Sequence, residues 1–385
     1  MNTPTLSTAR ISIIGAGPGG LTCARILQQH GIAVTVYDRD TDAGSRNQGG
    51  SLDLHDDDGQ LALREAGLID EFFALARFEG QEMRMLKPDG QVVSHHIPDA
   101  DEAVSPEIDR GQLRELLLKS LQPGTIRWGH KLLSVSGDDT SPRILTFGDG
   151  TTVESDLVIG ADGANSRVRA AISTATPIYT GATFLEAWFN EMDTRHPVLA
   201  ELVGAGSATA SDGDRALFAQ RNSGGHMRVY VIQRASVDWI ADAGLRPDSS
   251  DGIRAHLTAQ FAHWSPALLR LITDNDGAYV DRPLFALPVP LSWEHSPNIA
   301  LLGDAAHLMP PLGVGVNLAM LDASELALAI AAASTIDEAV TAYEATMIPR
   351  SSEIAQMLDG GAEMLLDGRA WELGNDNDNG DADED

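Results

Sequence analysis

The chain has 385 residues, 43% of them hydrophobic and 22% charged, with 37 glycines and 18 prolines. That profile supports sizeable cores and excludes collagen-like, coiled-coil and wholly disordered architectures. Acidic residues outnumber basic ones by 56 to 27, a net charge of −29, which argues against nucleic acid and anionic membranes as partners.

The lone cysteine, Cys23, cannot form an internal disulfide and reads as a core residue. With no signal peptide evident and no uninterrupted apolar run near the ~20 residues of a membrane span, a cytoplasmic protein is expected. In chain order, residues 10–14 are a β-branched run ending at Gly15, and 19–30 carry a helical apolar face. Residues 33–37 form a second strand, followed by a polar, glycine-rich loop over 40–50 and a helix over 60–66. An amphipathic helix spans 110–121, and short strands with Gly/Asp turns occupy 125–161. From 182 to 234 longer alternating segments suggest an antiparallel sheet with one covered face. A helix is expected over 251–272, a proline-punctuated crossing around Pro283, Pro288 and Pro290, a buried strand over 298–302, and helices over 316–333 and 336–358.

The expected fold class is α/β. A Rossmann-like nucleotide-binding domain (1–75, 100–180, 285–330) is interleaved with a β-sheet substrate domain (76–99, 181–284). C-terminal helices over 331–370 and a disordered acidic tail over 371–385 complete the chain, because six acids among residues 374–385 leave almost nothing to bury.

Three motifs carry chemistry. Gly15-Ala16-Gly17-Pro18-Gly19-Gly20 is a G-x-G-x-x-G between a strand and a helix. Its glycines suit a tight turn, close approach to a pyrophosphate and helix-on-strand packing, and the helix start favours phosphate. Asp38, 18 residues beyond Gly20, ends the second strand, where an acid can accept from ribose hydroxyls. In the second motif the strand 157–160 leads into Asp162-Gly163 and then Ser166, Arg167 and Arg169. In the third, Gly303-Asp304 is followed by Pro310-Pro311, Gly313, Gly315, Val316 and Asn317.

Together and in this order, the motifs resemble those of the class A flavoprotein monooxygenases, the single-component FAD-dependent aromatic hydroxylase superfamily, over nearly the whole chain. VYDRD (36–40), GGSLDLH (49–55), PEIDRGQLR (106–114) and GDAAHLMPP (303–311) are most similar to the tetracycline-inactivating flavin monooxygenases. The resemblance implies non-covalent FAD, NADPH or NADH as transient reductant, and molecular oxygen. It implies hydroxylation of an aromatic or polyketide-like molecule, with tetracycline-like antibiotics among the candidates, through a flavin C4a-hydroperoxide. Gly15, Gly17, Pro18, Gly19, Gly20 and Asp38 would hold the ADP half, and Gly303 and Asp304 the ribityl or pyrophosphate region. Pro311, Gly313, Gly315, Val316 and Asn317 would line the isoalloxazine. Gly50 and Arg110 would meet the flavin nucleotide, and Asp162 and Gly163 would serve both FAD and NADPH.

Arg39 and Arg46 suit a nicotinamide phosphate, or are simply exposed loop residues. Glu186 and Arg228 align with substrate-contacting positions of the relatives but differ in residue type, and Trp188 lies beside Glu186. Charges in alternating apolar strands are costly unless paired or functional, so these side chains face either a substrate cavity or solvent. His307 reads as structural or as active near the flavin. His95, His96 and His226 lack a metal-ligand pattern, so no metal is expected; the resemblance puts the chemistry on the flavin, with no catalytic protein side chain, and a monomer is expected. A halogenase lacks its Trp-x-Trp-x-Ile signature here. A reductase or dehydrogenase of the same fold and a non-catalytic redox-sensing module remain open.

Overall fold

A computed structural model describes residues 8–45, 49–99 and 105–367. Arg46 and the acidic tail lie outside the described residues. The chain forms two compact units, one comprising Met1–Ala76, Arg110–Ile178 and Phe285–Asp359, the other Arg77–Asp109, Tyr179–Leu284 and Gly360–Asp385.

The first unit is built on a five-stranded parallel sheet with spatial order Ile299–Leu301, Leu157–Gly160, Ile11–Ile14, Val34–Tyr37, Ile126–Arg127. The central strands are continuous apolar runs because both faces are covered, and Ile13, Val158, Ile159, Ala300 and Leu301 are fully buried. Helix Pro18–Gln29 starts on a proline, which suits a position whose amide has no helical partner. Helix Val314–Ala332 is apolar and long enough to cross a membrane by length and composition alone, more so than its uninterrupted apolar run suggests. Half of it is buried, and Asn317 and Asp322 are hydrogen-bonded inside the unit. It behaves as a core helix.

The second unit holds a seven-stranded sheet ordered Val280–Ala286, Ile178–Phe189, His226–Arg234, Arg215–Asn222, Ser207–Ser211, Met83–Leu86, Val92–His96. Leu185, Ala187, Phe189, Leu217, Met227, Val229 and Val231 line one face and pack on helices through Ile253, Leu257, Phe261, Leu268 and Leu271. Trp239 and Trp264 join this core.

Several expectations need correction. The helix expected over 251–272 is two, Ser250–Gln260 and Pro266–Thr273. Pro266 is costly in a helix interior and here begins a new helix, with Ser265 Oγ accepting the Leu268 amide at 3.4 Å. The alternating segment from 182 stops at Phe189, and Met192–Arg195 is helical. The division of the chain also differs. Glu107 exchanges backbone hydrogen bonds with Arg77 at 2.7 and 3.2 Å, so 105–109 belong to the second unit rather than to the nucleotide-binding part. The C-terminal helices are not a block of their own. Ile336–Met357 packs on Val314–Ala332 in the first unit, and Gly361–Asp367 packs against sheet strands of the second.

Candidate functional site

The register of the parallel sheet brings the three motifs together. Ile14 is level with Tyr37 and Gly160, and Gly160 with Leu301. Gly15, Asp38, Asp162 and Asp304 therefore all follow the carboxyl ends of neighbouring strands, the edge at which open α/β sheets bind ligands. Gly15 has φ +112°, and a Cβ there would lie 2.2 Å from the Ala161 carbonyl oxygen. A Cβ on Gly20 would lie 2.1 Å from the Gly15 oxygen, so helix and turn could not approach as they do. At Gly17 the opposite holds, since a Cβ would meet nothing within 4 Å. Open backbone at a helix start suits phosphate oxygens.

Asp38 is buried and shapes this turn. Its Oδ2 accepts the Ala16 amide at 2.6 Å and its Oδ1 the Asp40 amide at 2.8 Å. Arg114, only 2% exposed, braces the same loop from below. Its Nε donates to the Ala16 carbonyl at 3.0 Å and its Nη1 to that of Ala43 at 2.7 Å, and its guanidinium lies 5.3 Å from the Trp128 ring centre. Arg110 is exposed at the start of helix Arg110–Ser120, with its amide on the Gly50 carbonyl and its Cδ beside Gly49. Arg39 is exposed.

The second and third motifs are tied by one arginine. Asp162 accepts from Ser166 Oγ at 2.5 Å and the Arg167 amide at 2.6 Å, while burial pushes its carboxyl pKa up. Gly163 beside it has φ +76°. Arg169 is buried and donates to the carbonyls of Ala164 (2.6 Å), Ala305 (3.0 Å) and Asp304 (3.3 Å). Burial lowers its pKa, and Asp162 and Asp304 work against that. The Asp304 carboxylate itself is exposed and takes no hydrogen bond from any described residue. Its Oδ1 lies 4.0 Å from where a Cβ on Gly315 would sit. A free carboxylate facing bare backbone at the start of a helix suits a polyhydroxylated chain.

Beneath this turn Asp322, fully buried, accepts the Gly303 amide at 2.9 Å, His307 Nε2 at 2.6 Å and Arg350 Nη2 at 2.8 Å. His307 is therefore a buried brace. Pro311 and Gly313 are exposed, and Gly315 and Val316 half-buried. Asn317 is different. It is fully buried, and its side chain is committed to the Asp53 carbonyl (2.9 Å) and the His55 amide (3.1 Å). Burial raises the Cys23 thiol pKa to about 12, leaving an inert core residue. Arg169 was named within the second motif and Arg114 within the segment 106–114, but neither they nor Asp322 had a role assigned from the sequence. Their only sequence signal is a charge on an apolar helix face or within a motif.

On the second unit, Glu186, Trp188 and Arg228 point away from the helix-covered face of the sheet, by alternation with Leu185, Ala187 and Val229. Trp188 and Arg228 are cross-strand partners, as are Glu186 and Tyr230. Neither charge is on solvent: Glu186 is 5% and Arg228 3% exposed, and they pair with each other. Arg282 also pairs with Glu186. The Arg228 guanidinium lies 4.2 Å over the Trp188 ring, which stacks on His226 at 5.2 Å. Burial lowers the Arg228 pKa. Phe184, Tyr230 and Phe218 continue the same face, with ring centres 5.5 and 6.2 Å apart.

The family model described as an FAD binding domain matches residues 8–273 and 291–357. The chain belongs to this family, the class A flavin monooxygenases. Monooxygenase penA of Penicillium thymicola is 31% identical, over 93% of this chain and 98% of that protein. Among solved structures, Klebsiella pneumoniae HpxO complexed with FAD and uric acid superposes with a TM-score of 0.79 at 22% identity, covering 96% of this chain and 93% of that one. The tetracycline destructase Tet(55) does so at 0.72 and 21%, covering 94% and 90%. At such identities these two likenesses speak for the fold. The class A monooxygenase is thus an FAD-dependent oxidoreductase of mixed α/β fold.

Proposed function

We propose that this monooxygenase hydroxylates an uncharged or weakly charged aromatic or polyketide-like molecule, with NADPH or NADH as transient reductant. Bound FAD supplies the electron and oxygen chemistry. The protein's residues bind, orient and exclude water. Gly15, Gly17, Pro18, Gly19 and Gly20 take the pyrophosphate side, with Asp38 and Arg114 holding that loop in shape. Asp304 takes the hydroxylated chain. Pro311, Gly313, Gly315 and Val316 offer backbone to the ring, and Asn317 acts by fixing that turn rather than by contact. Gly50 and Arg110 meet the nucleotide, Asp162 and Gly163 complete the strand edge, and Arg39, exposed beside Asp38, takes a reductant phosphate.

The observation that carries the substrate assignment is the buried Glu186–Arg228 pair on the aromatic face of the sheet. A buried ion pair is a poor stabiliser, since apolar residues of like volume usually serve as well. Its placement among Trp188, Tyr230 and Phe218 supports a recognition surface for a flat ring carrying polar groups. The charges on this side are also matched, with Arg228 and Arg282 on Glu186 and Arg77 beside Glu107 and Asp109, which favours a substrate without a strong net charge. Relatives named for urate and for tetracycline turnover make purines and polycyclic polyketides the first compounds to screen.

The test uses Glu186→Gln and Arg228→Met at constant flavin content, with oxygen uptake and product followed on whichever compound the wild type turns over. Substrate affinity, or coupling of reductant use to product, is expected to fall at least tenfold. Wild-type turnover, coupling and affinity in both variants would refute the assignment.

A further inference from the structure

His55 ends the GGSLDLH segment and has no role in the reading above. Its Nε2 is 3.0 Å from Asp53 Oδ2 and its Nδ1 3.4 Å from Asp58 Oδ2. Asn317 fixes both ends of this short segment through the Asp53 carbonyl and the His55 amide, as described above. The Asp53 carboxylate is half-exposed and lies 3.6 Å from where a Cβ on Gly313 would sit. Gly313, at φ +89°, immediately precedes helix Val314–Ala332. Two carboxylates therefore flank the start of this helix, Asp53 at Gly313 and Asp304 at Gly315.

Of the neighbouring acids, Asp57 is exposed. Asp56 pairs with Arg64, and Asp58 accepts the Gly59 amide at 2.5 Å. Burial alone would lower the His55 pKa, but hydrogen bonds and charge from Asp53 and Asp58 raise it to about 10. The ring is a cation at neutral pH.

We infer that His55 is a positioning residue for the loop 311–317. It offsets the charge of Asp53 beside Gly313, so that carboxylate adds no uncompensated negative charge at the helix start facing the ring of a bound flavin. This rests on the proposal that the loop lines that ring. Without the imidazolium, the Asp53 carboxylate would oppose the added negative charge of the reduced cofactor. The oxidised cofactor would be affected less.

The test compares FAD-loaded wild type with His55→Gln, Asp53→Asn and the double variant. Midpoint potentials are read by dye equilibration, and oxidised-FAD affinity by fluorescence. In His55→Gln, reduced FAD is expected to lose about tenfold in affinity relative to oxidised FAD, a drop of about 30 mV for a two-electron couple. Asp53→Asn shifts the potential upward, and the double variant returns to within threefold of wild type. A merely structural role would not predict rescue by deleting the carboxylate. An unchanged potential in His55→Gln, or a double variant as low as His55→Gln, overturns the inference. Should His55→Gln not retain FAD, the inference is read from the other two variants, and an unshifted Asp53→Asn overturns it. Wild type that binds no FAD would overturn the cofactor reading itself, a distinguishable outcome.

Discussion

Asp322 is the residue whose removal tests most directly how the third motif is held. Asp322→Asn keeps the shape of the side chain and one acceptor but deletes the charge. In the wild type that charge is fully buried and receives Gly303, His307 and Arg350 at 2.6–2.9 Å. The Arg350 guanidinium and the His307 ring would then face a neutral amide whose NH2 group must point at one of its partners. Deleting one member of a buried ionic network costs about 3–5 kcal/mol. For a unit of 150–250 residues each kcal/mol moves Tm by about 2–4 °C, so a fall of roughly 10 °C is expected, read by thermal denaturation with and without FAD.

The pH dependence adds a second check. Burial would lower the His307 pKa, but the Asp322 charge outweighs it and the folded pKa is raised. Such a group adds stability that is fully present below its unfolded pKa of about 6.5 and is lost as pH rises through the folded value. The gap between wild type and Asp322→Asn should therefore be largest below that pH and narrow in alkali. A Tm shift under about 2 °C, the equivalent of less than ~1 kcal/mol, with parallel pH profiles would refute the reasoning.

Two further outcomes concern the cofactor. Gly17→Val fills the open backbone of the first turn, so FAD binding should be abolished while the circular dichroism spectrum is retained; a variant that stays yellow through gel filtration contradicts that placement of the phosphates. Asp304→Ala removes an exposed carboxylate that takes no hydrogen bond from any described residue, so stability should change little, while loss of a charge-assisted hydrogen bond of about 1.5–3 kcal/mol weakens FAD binding by about 10- to 150-fold, measured by flavin fluorescence titration.

Much of the first unit was legible in the sequence because its parallel strands are buried on both faces and stand out as apolar runs ending in glycine or aspartate. The strand ends then locate the ligand edge without further information. The sheet of the second unit was legible only where its alternation is long, in Ile178–Phe189, Arg215–Asn222 and His226–Arg234. Ser207–Ser211 and the hairpin Met83–Leu86 with Val92–His96 are short and poor in β-branched residues or fully exposed on one strand, so neither periodicity nor hydropathy marks them. Charge on Glu186 and Arg228 was visible as an anomaly, but its direction was not. Alternation places a residue on a face, and only tertiary structure says what that face is against.

The braces were illegible for a deeper reason. Loops that must offer bare backbone to a ligand carry glycines and few side chains of their own, so they cannot hold their own shape. Their carbonyls and amides need partners from elsewhere in the chain. Here Arg114 reaches Ala16 from 98 residues away, Arg169 reaches Ala305 from 136, and Asp322 reaches Gly303 from 19. Each is a buried charged residue that meets backbone groups of a distant turn, and Asp322 meets the His307 and Arg350 side chains as well. Such residues leave no local pattern. What a sequence does show is the need for them, because every glycine-rich turn at a strand end implies an unseen buried partner, and a buried charge elsewhere in the same unit is the place to look.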